Sequence, residues 1–120
     1  MPMTEINGIA QEIQRQLQYY ARDVAEKVEE AKEEVTKVLK QEVERDSPER
    51  RPSYKKGWRI KRGKKSLILH NKTDYQLTHL LEYGHALRNG DRFEGKPHIK
   101  PNEEKAIRDY LDKIERAIEP

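Results

Sequence analysis

The sequence predicts an α+β fold: a long N-terminal helix, a small antiparallel β-sheet with an embedded short helix, and a C-terminal helix packed on the sheet. Three observations predict it. Apolar residues recur at steps of three and four from Ile6 to Val38 and again from Ala106 to Ile118, the period of an amphipathic helix. Between these stretches the period drops to two around Trp58 and Ile60, as in a half-buried strand. Proline and glycine punctuate the joints, where neither a helix nor a strand continues easily. The organisation is then a helix over 1–46, a hinge over 47–53 and a small α+β core over 54–120, one domain overall.

The first helix runs from Thr4 to about Glu44, with Thr4 as its N-cap. Its stripe is Ile6, Ile9, Ile13, Leu17, Ala21, Val24, Val28, Ala31, Val35 and Val38. From Ala21 to Val38 the 3–4 alternation is a regular heptad, and the steps 13–17–21 insert a stutter. Asp46-Ser47-Pro48 ends it, because the residue before proline is pushed out of helical geometry. Forty-one residues at about 1.5 Å each span about 60 Å. A compact domain of this length is only about 35 Å across. The helix therefore bends, packs part of its Ala/Val seam on another chain, or frays at its N-terminal end.

Ser47 to Ser53 is the proline-rich hinge. Tyr54 to Arg62 alternates, with Tyr54, Trp58 and Ile60 on one face and lysines and arginines opposite. Gly63-Lys64-Lys65 turns the chain into a second strand, Ser66 to Asn71. Its apolar run Leu67-Ile68-Leu69 reads as buried on both faces, hence as a central strand. Thr73 to Gln76 resembles a capping box opening a short helix that stops at Gly84, a left-handed terminator. His85 to Lys96 reads as an exposed loop, and Pro97 to Pro101 as a stiff extended connector or third strand. Asn102 caps the last helix, whose stripe is Ala106, Ile107, Tyr110, Leu111, Ile114 and Ile118.

Composition narrows the function. Of 120 residues, 39% are charged and 33% apolar, so the core is small and its stability surplus slight. Apolar surface is best finished against copies or partners. No cysteine is present, which removes disulfides and thiolate metal sites. No apolar run is long enough to span a membrane and no signal peptide opens the chain, so the expectation is a soluble protein that stays in the cell making it. The net charge of +3 is segregated: −4 over residues 1–46, +9 over 47–101 and −2 over 102–120. That pattern suits head-to-tail contacts or a polyanion.

The chemistry is unpromising for catalysis. His79-Leu80-Leu81-Glu82-Tyr83-Gly84-His85 imitates a zinc-protease string, but that site needs histidines at i and i+4, and these stand six apart across a helix stop. His70, His79, His85 and His98 are read as structural, with no metal and no cofactor. Glu82 is the one carboxylate set among leucines; with no acid–base partner, an ion pair to Arg88 or Arg92 is its expected role. Ser47, Ser53 and Ser66 lie in no nucleophile elbow, so no catalytic residue is assigned. Lys61, Arg62, Lys64 and Lys65 cluster on the hairpin beside Trp58. They are candidates for DNA phosphate contact, although the alternation turns Trp58 inward with Ile60.

The stretch Tyr54-Lys-Lys-Gly-Trp58, Leu69-His-Asn71-Lys-Thr-Asp-Tyr75, His79-Leu80-Leu81-Glu82-Tyr83-Gly84-His85, Asn89-Gly90-Asp91-Arg92 and Pro97-His98-Ile99-Lys100-Pro101 resembles a known family. It is the tail-component or neck family encoded in the head–tail gene cluster of long-tailed bacteriophages and prophages. The resemblance implies a non-catalytic virion protein that joins head to tail. It would act as or on an oligomeric ring around the DNA channel, with connector, head-closure, tail-tube or terminator proteins as partners and assembly in the bacterial cytoplasm. It further implies that Asn71 and Tyr75 pin the strand-to-helix turn. Leu80, Leu81 and Tyr83 pack the short helix on the sheet, and Gly84 reverses the chain. The interfaces to neighbours are expected on Val24, Val28, Ala31 and Val35 of the long helix and on Arg88, Asn89, Arg92 and Phe93 of the loop. A basic nucleic-acid-binding module is the alternative reading.

Overall fold

The computed structural model describes the backbone of residues 2–49 and 51–119, and the side chains of 8–49 and 51–119. The α+β class holds. Helix α1 spans Pro2–Asp46, 45 residues, two longer at each end than the stripe alone suggests. The cap assigned to Thr4 and the stripe position Ile6 concern side chains outside the described residues. At the other end Ser47 donates its hydroxyl to the Val43 carbonyl (2.6 Å), satisfying one of the carbonyls a helix end leaves orphaned. Pro48 then excludes a further turn.

Pro52–Lys56 forms a short helix, α2, with proline at its first position, where the fixed φ helps and the missing N–H is not needed. This corrects the strand start: β1 covers only Trp58–Arg62, and Tyr54 reaches the core from a helix. β1 pairs antiparallel with β2, Leu67–Asn71, in the register Trp58↔Asn71, Ile60↔Leu69 and Arg62↔Leu67. Among the described residues this sheet has two strands. β2 is thus an edge, not the central strand its apolar run suggests, and Ile68 is left 51% exposed beside Lys61 on the outer face.

A single 3₁₀ turn, Tyr75–Leu77, leads into α3, Thr78–Tyr83. Thr73 does not cap it; its hydroxyl donates to the Ser53 carbonyl instead (2.8 Å). The expected loop contains a minimal hairpin, β3 (His85–Ala86) against β4 (Arg92–Phe93). No strand forms at 97–101; α4 begins at Lys100 and runs to Ile118. Its Pro101 sits in the first turn, and Asn102 lies inside the helix, buried, not at its cap.

Helix α4 packs chiefly on α1, where the sequence reading sets it on the sheet. The two run antiparallel, tied by Asn102–Asp46 (3.0 Å), Lys105–Glu42 (2.9 Å) and Lys113–Glu34 (2.8 Å). This register brings Ala31 opposite Ala117, and both are buried; small side chains let the helices approach. The remaining core is Val43, Tyr54 and Trp58, with Leu39, Leu69, Leu81 and Ile99 around them. The last tie is Tyr20, whose hydroxyl donates to the Ile118 carbonyl (2.5 Å).

Beyond Tyr20, α1 continues alone. The molecule measures 89 × 21 × 18 Å with a radius of gyration of 22.6 Å, where a compact chain of this length has roughly 14 Å. Ile9, Ile13, Leu17 and Tyr20 are 60%, 55%, 62% and 46% exposed. The helix is too long for its own domain and projects from it as an arm.

Candidate functional site

Three segments meet at a buried polar junction. Glu82, on α3, is 3% exposed. Its carboxylate accepts the backbone N–H groups of His98 (2.7 Å), Ile99 (2.9 Å) and Lys100 (2.9 Å). These are donors that the start of α4 leaves without intrahelical partners, and the negative charge sits at the positive end of the helix dipole. Glu82 therefore caps α4 from a distant element, and the expected ion pair with Arg88 or Arg92 does not form. Arg92 instead donates to the Tyr83 carbonyl (3.2 Å). Burial pushes the Glu82 carboxyl up, but the three amides and the His98 ring outweigh it, so the group is held below its ordinary 4.5.

His98 is fully buried at the centre. Its Nδ1 faces the Lys96 carbonyl (2.6 Å) and the Glu82 carboxylate (3.0 Å). Both can only accept, so Nδ1 carries a proton. Nε2 lies 2.6 Å from the Tyr54 hydroxyl, which donates to it in the neutral ring. Desolvation pushes the Tyr54 phenol up to about 12, so it stays a donor. Tyr54, Trp58 and His98 also meet edge to face, with Tyr54 5.5 Å from each of the other two rings.

Around this centre the other motif residues hold backbone. Asn71 donates to the Tyr54 carbonyl (2.7 Å) and accepts from Asp74 N–H (2.8 Å), joining the end of β2 to α2 and to the turn that follows. The Trp58 indole donates to Ser47 Oγ (2.9 Å), whose hydroxyl in turn donates to the Val43 carbonyl and so locks the end of α1 to β1. Gly84 adopts φ 88°, and a Cβ there would lie 2.2 Å from the Phe93 carbonyl oxygen. A Cβ on Gly95, at φ 84°, would lie 2.5 Å from the Gly84 nitrogen. Only a residue without a side chain lets α3 close on β4. Leu81 packs on the core and Leu80 is half-buried. Tyr75 and Tyr83 point outward, 66% and 65% exposed, so Tyr83 does not play the packing role the resemblance gave it, and Tyr75, assigned with Asn71 to the turn, faces solvent.

The histidines do not converge. His79 is exposed, His70 and His85 are half-buried, and His85 lies tilted against Phe93 at 5.6 Å. Pro97 is exposed in the irregular stretch before α4. Among the described residues no three histidine or carboxylate side chains gather as a metal set, and no helix is long and apolar enough to cross a membrane.

On the surface, Val24, Val28 and Val35 are half-buried and Ala31 is buried along the seam that α4 covers. Arg88, Asn89 and Arg92 are exposed on the small hairpin, with Phe93 half-buried. Lys61, Lys64 and Lys65 are exposed. Arg62 is engaged by Glu33 of α1 through two charge-assisted bonds, which hold the Glu33 carboxyl below its ordinary value. Trp58 is 3% exposed and offers no face to a base. Sequence reasoning missed two junction members, Tyr54 as a buried donor and Ser47 as a buried relay; the signal for Tyr54 was Pro52 two residues before it, at a helix N1 position.

Residues 11–84 match the sequence model of a family described as Bacteriophage HK97-gp10, putative tail-component. The match covers more than half of the chain. The chain belongs to this family of phage tail components. Comparison with curated proteins and with solved structures gives no match. A tail component is a structural part of a virion and works in contact with other phage structural proteins. The matched span takes in the free arm from Gln11, the covered seam, the hairpin and α3 with Glu82. Its end at Gly84 leaves out α4, which Glu82 caps.

Proposed function

We propose that this tail component acts at the head–tail interface as a non-enzymatic joining or completion protein, assembling as or onto an oligomeric ring around the DNA channel. The observation that carries the reading is the arm: an apolar helix face extends beyond anything its own chain can cover, in a protein whose family is made of phage tail parts. Partners of the connector, head-closure and tail-tube or terminator type fit that position. The exposed Lys61, Lys64 and Lys65 suit non-specific contact with passing DNA. Micrographs of particles made without the protein should show filled heads separate from tails; joined, infectious particles would overturn the reading.

The alternative, a nucleic-acid-binding module, draws on the same lysines, but the Trp58 beside them is buried and offers no stacking face. A salt titration of DNA binding separates the two. A true binder loses affinity steeply with salt, and replacing Lys61, Arg62, Lys64 and Lys65 with alanine abolishes its binding. A joining protein keeps its assembly in the same variant.

A further inference from the structure

Among the described residues two apolar surfaces are left open to solvent, and they lie at opposite ends of the molecule. One is the arm, with Ile9, Ile13 and Leu17 on one face and Tyr20, bonded to the Ile118 carbonyl, at its root. The other is a cleft of about 520 Å³ along β2, lined by Leu39, Leu67, Ile68, Leu69, Tyr75 and Ile99, with Glu103 the one carboxylate in its wall. Ile13 and Leu39 are 26 residues apart on one continuous helix, about 39 Å along its axis. The arm cannot fold back into its own cleft.

We propose that the arm of one copy docks in the β2-edge cleft of the next. Three features favour a second copy as the occupant. The arm presents anchors at i, i+4 and i+8, the spacing with which an amphipathic helix enters an apolar groove. It carries on the same seam that α4 covers between Val24 and Val35, so its side chains already suit a helix-sized apolar partner. The charges permit it: the arm over residues 8–20 holds one acid and one base, Glu12 and Arg15, paired with each other, while residues 55–72, which carry the β2 edge, hold eight basic side chains and none acidic. Two clefts brought together would set like charge against like, and arm against cleft does not. Because the two surfaces differ, the contact is heterologous, and it closes a ring when the rotation per copy divides a full turn. This rests on the ring reading above and names the contact that would build it.

The chain has no cysteine of its own, so single cysteines report contacts cleanly. Differently tagged full-length Ile13→Cys and Ile68→Cys proteins, mixed and treated with a short bis-maleimide, should cross-link to each other and far less to themselves. Self-linking of Ile13→Cys as strong as the mixed product would mean a symmetric arm–arm dimer and overturn the proposal, as would no product in any mixture. As a second measure, Ile13→Asp and Ile68→Asp should each lose higher oligomers in light scattering after gel filtration. Mixed together they should yield dimers, the one product with a single intact arm–cleft pair. Both positions are exposed, and unchanged thermal melting of each variant checks that folding is intact. Oligomers that persist in both variants sink the docking surface while leaving the ring reading standing; that reading falls separately if particles made without the protein are joined.

Discussion

Replacing Glu82 tests the junction directly. In Glu82→Ala three backbone donors at residues 98–100 lose their acceptor, and His98 Nδ1 loses one of two. A buried donor left unsatisfied costs about 1–3 kcal/mol. His98 N–H is buried and pays in full, whereas Ile99 and Lys100 are nearer the surface, where water takes part of the carboxylate's place. The expected loss is about 3–5 kcal/mol, most of what a small core of this kind provides. With a urea slope of about 1.5 kcal/mol per M, the unfolding midpoint drops by about 2–3 M. Glu82→Gln keeps one acceptor oxygen but turns an amide NH₂ toward one of the three N–H groups, and should lose about 1.5–3 kcal/mol. Trp58 is the only tryptophan and packs at the junction, so its fluorescence follows the transition. Glu103→Ala, exposed in the first turn of the same helix, is the control and should lose about 0.5 kcal/mol or less. A Glu82→Ala midpoint that moves no further than that of Glu103→Ala would refute the idea that Glu82 holds α4.

Two further outcomes follow from the same geometry. Glu82 and Asp46 both titrate below their ordinary values in the folded chain, Glu82 through its three amides and His98, Asp46 through Arg45 and Asn102. Groups lowered on folding stabilise above the unfolded value and lose that contribution as pH falls through the folded one. Stability measured by urea titration should therefore be flat near neutrality and decline below about pH 4.5, and the decline should be shallower in Glu82→Gln; an equal slope in both would show that Glu82 is not the linked group. Gly84→Ala should lose more than about 2 kcal/mol, because strain at φ 88° adds to a Cβ overlapping the Phe93 carbonyl. Gly90→Ala, at φ 91° with nothing within 4 Å, bears the backbone strain alone, about 1 kcal/mol, so equal losses by thermal melting would refute the close approach.

What could be read from sequence follows from how locally each feature is encoded. The span of α1 rests on a stripe and a stop, Ile9 to Val38 and then Ser47-Pro48, and both lie within the helix or beside it. The β1–β2 hairpin likewise comes from a short connection around Gly63-Lys64-Lys65, with an alternation before it and an apolar run after it. Glu82 could be recognised as a carboxylate out of place, but not given its partners. They are main-chain amides sixteen to eighteen residues on, and an amide has no letter of its own. The same blindness put a cap on Asn102, which has the right side chain in the right neighbourhood; tertiary structure had already filled that role with Glu82 and turned Asn102 toward Asp46. Tyr54 kept step with Trp58 and Ile60, so a period of two absorbed what Pro52 and Gly57 bracket as a helical turn.

The residues that carry the family resemblance are mostly not those on the free surfaces. Asn71, Glu82, Gly84 and His98 each hold main chain or sit beneath it: a carbonyl of α2, the first amides of α4, the close pass of β4. Such roles require particular atoms at particular positions, so they leave a legible string. The arm needs only apolar bulk every third or fourth residue, and isoleucine, leucine, valine or methionine serve about equally there. A motif can then mark an assembly protein without marking where it assembles. The junction fixes the angle at which α1 leaves the hairpin and α4, and that angle aims the arm some 40 Å away. On the docking proposed above, the motif bears on assembly by setting the direction in which a plain apolar helix meets the next subunit.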